Sequence, residues 1–247
     1  MLKMNGGGNR LLIKKLNVLS RVRKITKADY EKKTSRPYTD YSYPDSEVIS
    51  SMERPEYKYI VKWIEPRSKV LDLGCGDGSL GELLIKNKNC EVYGIEIDEN
   101  GVKQSIAKGV KAILGNIDEG LNFEDKSFDY VVINVTLQMV YRPDFVMAEA
   151  LRVGEKVIAS FPNFAHIIAR FEVLLGRFPK SPLFGYEWYN TRHIHLFSVK
   201  DFLEYMKKLK VEIIKEQFLW LDSKSESVLS NLFPNLFSGT AIFMVRR

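Results

Sequence analysis

Asp72-Leu73-Gly74-Cys75-Gly76-Asp77-Gly78 is the stretch on which the reading of this chain turns. The apolar pair Val70-Leu71 leads into it, three glycines fall within five residues, and Ser79 opens a segment of helical period directly afterwards. A strand that bends through glycines straight into a helix is the first turn of an open parallel α/β sheet. Such sheets bind ligands outside the carboxyl ends of their strands, where the strand order reverses. Glycine permits positive φ and carries no Cβ, so a ligand can lie directly on the main chain there.

The same alternation continues on both sides of the turn. Strand-length apolar runs at 69–73, 91–96, 111–114, 128–134, 156–161, 211–219 and 240–245 are interleaved with helical periods over 79–86, 99–108, 164–175 and 199–209. Tyr130-Val131-Val132-Ile133 is unbroken, as expected of a central strand covered on both faces, while Pro143 opens the following helix and Ser198 is placed to cap another. The pattern predicts a doubly wound, mostly parallel seven-stranded α/β sheet, with its last two strands as an antiparallel edge hairpin joined by a long, mobile insert.

With 247 residues, 45% of them hydrophobic, the chain has material for one substantial core. Its net charge of +6 is unevenly spread: residues 1–36 carry eleven Lys or Arg against Asp29 and Glu31, giving +9 there and −3 elsewhere. We therefore read residues 1–52 as a flexible basic tail and linker, and 53–247 as the folded domain. Leu12, Leu16 and Leu19 fall on one helical face of the tail, which offers itself to an anionic surface or acidic partner, or is simply a solvated tail. The acidic balance of the remainder argues against a nucleic-acid partner. No run of about 18 apolar residues occurs, so a cytoplasmic protein is expected. Cys75 and Cys90, the two cysteines, make neither a disulfide framework nor a metal-ligand spacing.

Glu96 closes the second strand 20 residues after Gly76, where an acid can accept hydrogen bonds from ribose hydroxyls. That much suits a dinucleotide nearly as well as other nucleosides. The third glycine of a dinucleotide fingerprint is replaced by Ser79, however, and Asp72 and Asp77 flank and fill the turn. Two carboxylates would repel a pyrophosphate by about 1 to 4 kcal/mol for a charge pair near 4 Å, and would attract the ammonium and sulfonium of S-adenosylmethionine (SAM). The expected cofactor contacts are Asp72, Gly74, Cys75, Gly76, Asp77 and Glu96. Ile97 and Ile117 would cover the purine, Asn116 would bond its edge, and Asn134 with residues 135–138 would frame the methionine portion.

Beyond the turn, the sequence resembles the methionine biosynthesis protein MetW family. The likeness runs through about residues 54–246 and rests on Tyr93-Gly94-Ile95-Glu96-Ile97-Asp98, Ile117-Asp118-Glu119-Gly120-Leu121, Phe128-Asp129-Tyr130-Val131, Thr136-Leu137-Gln138, Leu151-Arg152-Val153-Gly154, Ser160-Phe161-Pro162-Asn163-Phe164 and Tyr186-Glu187-Trp188-Tyr189-Asn190-Thr191 leading to Ile194-His195-Leu196. Asn116, Ala165 and Arg192-His193 depart from the family pattern. The resemblance implies a class I SAM-dependent methyltransferase fold and a role accessory to a homoserine O-acetyltransferase in methionine biosynthesis. The alternative is an active methyltransferase on a small-molecule or lipid-like acceptor. Methyl transfer needs alignment and exclusion of water, and a base only when the acceptor must lose a proton. His166, His193, His195, Glu187 and Tyr189 are the candidates on the acceptor side, with His166 foremost. Phe178, Phe184, Tyr186, Trp188 and Tyr189 read as a lid, a docking surface, or a loop folded on the sheet edge.

Overall fold

The computed structural model describes residues 54–179, 188, 191–220 and 227–247. The basic tail and Phe184, Tyr186, Glu187 and Tyr189 lie outside the described residues. In chain order the elements are α1 (Pro55–Trp63), β1 (Lys69–Leu73), α2 (Ser79–Lys88), β2 (Glu91–Glu96), α3 (Glu99–Ala107), β3 (Lys111–Leu114), a 3-10 turn (Ile117–Glu119), β4 (Phe128–Asn134), α4 (Pro143–Val153), β5 (Gly154–Pro162), α5 (Ile167–Leu174), α6 (Val199–Lys208), β6 (Glu212–Leu219), α7 (Val228–Leu232), α8 (Pro234–Phe237) and β7 (Thr240–Arg246).

They form one seven-stranded sheet in the order β3-β2-β1-β4-β5-β7-β6. The pairs β1–β2, β2–β3, β1–β4 and β4–β5 are parallel, and β7 runs antiparallel to both β5 and β6. The order therefore reverses between β1 and β4. Asp72 sits at that crevice, in register with Gly94 on one side and Val132 on the other.

Side chains alternate across the strands, so each strand feeds two cores. Val70, Val92, Tyr130, Val132 and Ile158 pack with Tyr59, Ile60, Leu80 and Leu84 from α1 and α2. Leu71, Ile95, Val131, Ile133 and Phe161 pack with Val146, Met147, Phe202 and Met206 from α4 and α6. Each fully buried aliphatic or aromatic side chain contributes roughly 1.5 to 3 kcal/mol of transfer energy, which is what holds helices on both faces.

Three expectations are refined. β7 is an inner strand of the expected edge pair: Ala241, Ile242, Phe243, Met244 and Val245 are all buried, whereas β6 exposes Lys215 and Glu216 and occupies the edge. The insert between them is not structureless over 227–237. Ser227 and Ser230 make a reciprocal capping box at the start of α7, and Pro234 sets the first turn of α8. These helices have five and four residues, too short for a periodic signal in the sequence. Likewise α5 begins at Ile167 rather than at 164, because His166 is its N-cap.

Candidate functional site

The glycine bend is built tightly against three other elements. Gly74, Gly76 and Gly78 adopt φ values of 74°, 58° and 77°. A Cβ on Gly74 would come within 2.7 Å of the Thr136 side chain beyond β4, and one on Gly78 within 2.6 Å of the Ser105 backbone in α3. Glu96 ties the bend to β2: its carboxylate accepts the Gly76 N–H at 2.8 Å and the Ile97 and Asp98 N–H groups at 2.9 and 3.0 Å. Glu96 is thus first a loop organiser, with three of its acceptor positions used by backbone. The Cys75 thiol is buried against Ser105 Oγ, and burial, then the charge of Asp72, pushes it up to about 12, so the residue contributes backbone and not a nucleophile.

The two acids of the turn differ in kind. Asp72 is 3% exposed, and its Oδ1 has no hydrogen-bond partner among the described residues. Burial, reinforced by the neighbouring charge of Glu96 and opposed by Arg54, pushes its carboxyl up to about 7. A buried carboxylate without a partner is costly, so this position calls for a donor or a cation. Asp77 instead accepts from Lys108 Nζ at 2.6 Å and from the Ser79 hydroxyl and N–H. Partial burial works against its charge, but the bonds from Lys108 and Ser79 outweigh it and hold the group below the ordinary carboxylate range. The expectation that Asp77 draws a cation is therefore corrected, because its charge is already met by Lys108. Of the two acids in the turn, it is Asp72 that keeps an unsatisfied carboxylate oxygen.

On the purine side, Ile97 is 45% exposed at the end of β2, Ile117 is buried, and Asn116 is half-buried. Asn116 Oδ1 accepts the Asp118 N–H at 3.0 Å and caps the 3-10 turn, and its amide nitrogen donates to Glu119 Oε1 at 3.4 Å, so the side chain is partly committed to its own turn. Asn134 ends β4 with its side-chain oxygen accepting from the Ser160 hydroxyl, and its carbonyl accepting from Thr136 Oγ1 at 3.1 Å. Next to it Val135 takes φ 57°, a left-handed conformation that a β-branched residue rarely adopts. Such strain concentrates at functional sites. Gln138 is fully buried, with Nε2 donating to the Pro162 carbonyl at 3.0 Å and its own carbonyl receiving the N–H groups of Ile194 and His195.

Two of the three histidines, His166 and His193, are buried. His166 is 0% exposed, accepts the Ile168 N–H on Nδ1 at 3.1 Å, and stacks edge-on to Trp220. Burial lowers its pKa. The ring is a helix cap on the β6–β7 side and is closed to an acceptor, which corrects its selection as the foremost base. His193 is buried edge-on to Phe164, and burial alone pushes it down to about 4. Trp188 stands exposed. Among the described residues no group of three His, Cys, Asp or Glu is arranged to hold a metal ion.

Sequence reasoning missed Arg54 and Tyr57 of α1. Arg54 lies 5.9 Å over the Tyr57 ring, and its charge acts on both Tyr57 and Asp72. Burial raises the Tyr57 phenol well above its ordinary value, Arg54 opposes that, and Asp72 adds to it. Arg54-Pro55-Glu56, a basic residue before a first-turn proline and acid, was the available helix-start signal.

The family model of methionine biosynthesis protein MetW matches residues 54–245. The chain belongs to the MetW family. The bifunctional methionine biosynthesis protein MetXA/MetW of Rhodopirellula baltica is 32% identical over 199 residues, covering 76% of this chain and 32% of that protein, so the chain spans about a third of this relative. A demethylmenaquinone methyltransferase of Bacillus mycoides is 35% identical over 109 residues, 38% of this chain and 45% of that enzyme. Among solved structures, a SAM-dependent methyltransferase from Archaeoglobus fulgidus superposes with a TM-score of 0.60 at 17% identity, covering 80% of this chain and 95% of that one. The fold is that of class I SAM-dependent methyltransferases. Among the described residues no helix is long and apolar enough to cross a membrane.

Proposed function

We propose that this MetW-family chain binds SAM at the β1 bend and supports methionine biosynthesis as an accessory of a homoserine O-acetyltransferase. The observation that carries the cofactor half is the buried, unpartnered Asp72 Oδ1 at the crevice between β1 and β4. Asp72 would meet the ammonium of SAM, the bend backbone would lie along the methionine portion, Glu96 would receive ribose hydroxyls with its remaining acceptor capacity, and Ile97 would cover the purine. Bound SAM would supply an electrophilic methyl group or serve as a signal of methionine supply. The accessory half is supported by the Rhodopirellula relative, in which a MetW portion shares one chain with a MetXA portion.

Calorimetry of the purified chain with SAM tests the first half, and absence of heat at high concentrations of both would end it. For the second, the rate of a purified homoserine O-acetyltransferase is expected to change when this chain is added. An unchanged rate over a wide range of ratios counts against it. A second reading, methyl transfer to a small or lipid-like acceptor, is supported by the partial match to the demethylmenaquinone methyltransferase. It requires formation of S-adenosylhomocysteine when such an acceptor is supplied.

A further inference from the structure

Beyond β5 lies a cavity of about 670 Å³ that shares no residue with the bend. Its floor is the segment after Pro162, including Phe164, and its walls come from the end of α5 and the residues after it, and from the stretch before α6. The volume is that of a small-molecule site, and the surface is mostly apolar, from Phe164, Val173, Phe178, Leu196 and Phe197. Val173 is 60% and Leu196 51% exposed, so these apolar walls face outward and not into the core. A Cβ built on Gly176 would meet nothing within 4 Å, which marks open space on that side.

Two charged residues line the cavity, and only one is committed elsewhere. Asp201 forms the capping box of α6, its carboxylate accepting from the Ser198 N–H and hydroxyl at 2.9 and 2.7 Å. Arg177 has no side-chain hydrogen bond or ion pair among the described residues, where its backbone N–H alone is bonded, to the Glu172 carbonyl. A guanidinium beside an apolar hollow matches an anion that carries an apolar body: the planar fork pairs with a carboxylate while the body displaces water from the aromatic walls.

We propose that this cavity binds a small amphipathic carboxylate, with its head paired to Arg177 and its apolar body against Phe164, Phe178 and Leu196. The site stands at the carboxyl end of β5, which runs parallel to and beside β4, and so at the same end of the sheet as the bend. It does not depend on SAM being the ligand of the bend.

Octanoate is the probe, with octanol as its uncharged counterpart, both titrated into the full chain by calorimetry. Octanoate is expected to bind at least about tenfold more tightly than octanol. Arg177→Gln is expected to remove that preference by weakening octanoate about tenfold while leaving octanol unchanged. Arg177→Lys should restore part of it, and Val173→Trp should exclude both ligands by filling the space. Thermal melts and the SAM affinity of each variant, expected to match the parent chain, show that the fold and the bend are intact. Equal affinity for octanoate and octanol, or full octanoate affinity in Arg177→Gln, would overturn the proposal. So would octanoate failing to bind while Arg177→Gln abolishes association with the acetyltransferase, since the face would then serve a protein.

Discussion

Asp72 combines two properties that oppose each other: it is fully enclosed, and it carries an oxygen with no partner. The opposition makes its protonation a property that can be measured. An ordinary aspartate titrates near 3.8, and here burial first and the Glu96 charge second raise the group to about 7. Between those values the folded chain holds a proton that the unfolded chain has released, so stability falls with rising pH. The contribution is complete below about pH 4 and is lost as pH rises through about 7. Asp72→Asn removes the loss, because the amide stays neutral at every pH as the protonated acid does. Without ligand, the variant is expected to melt at a higher temperature than the parent at pH 8, with a gain on the order of a few kcal/mol, and the two should coincide near pH 4. The same substitution should weaken SAM by roughly 1 to 3 kcal/mol, since a charge-assisted contact is lost. In the parent chain, SAM affinity should drop as pH falls below about 7, because binding must then expel the proton. Calorimetry in buffers of different ionisation enthalpy would show proton release, and identical heats in all buffers at pH 6 would contradict it.

At the scale of elements, the bend owes its shape to a residue that the sequence marked for a different reason. The distance of Glu96 from the glycines marks it in the sequence as a candidate ribose acceptor, whereas in the structure its carboxylate gathers the N–H groups of Gly76, Ile97 and Asp98 from two separate loops. Glu96→Gln keeps one oxygen but turns an NH2 toward a backbone donor. It is expected to cost about 1 to 3 kcal/mol of stability and to weaken SAM together with it, read by denaturant midpoint and calorimetry. Asn163 provides the contrasting case. It is fully buried, donates to the Ser238 carbonyl at 3.0 Å and accepts the Ala165 N–H at 3.1 Å, joining the end of β5 to the crossover before β7. Asn163→Ala should cost a similar amount while leaving SAM affinity unchanged. The strands and long helices were legible because each repeats a hydrophobic period over its whole length. The pairing of Asp77 with Lys108 was not, because the partners are 31 residues apart and meet only when α3 folds against the bend. The enclosure of His166 was hidden for a related reason: its neighbours Trp220 and Phe237 arrive from the far end of the chain.

Across the whole molecule, the strongly basic segment lies outside the family match. The MetW match begins at residue 54, where α1 starts, whereas the +9 segment lies entirely within residues 1–36. Every strand of the sheet and the whole bend come from residues after 68. Removing residues 1–53 should therefore leave SAM affinity within about threefold, a difference of less than 1 kcal/mol. What the deletion should abolish is attraction to anionic surfaces. Basic residues near such a surface contribute up to about 1 kcal/mol each, and the attraction fades within a Debye length of about 10 Å at 0.1 M salt. The full chain is thus expected to sediment with phosphatidylserine-containing vesicles at low salt and to be released near 0.5 M salt, while the shortened chain stays in the supernatant throughout. Were the shortened chain to bind those vesicles as well as the full one, the affinity would belong to the folded domain, whose residues 54–247 balance 26 Lys or Arg against 25 Asp or Glu and so give it almost no net charge with which to bind them.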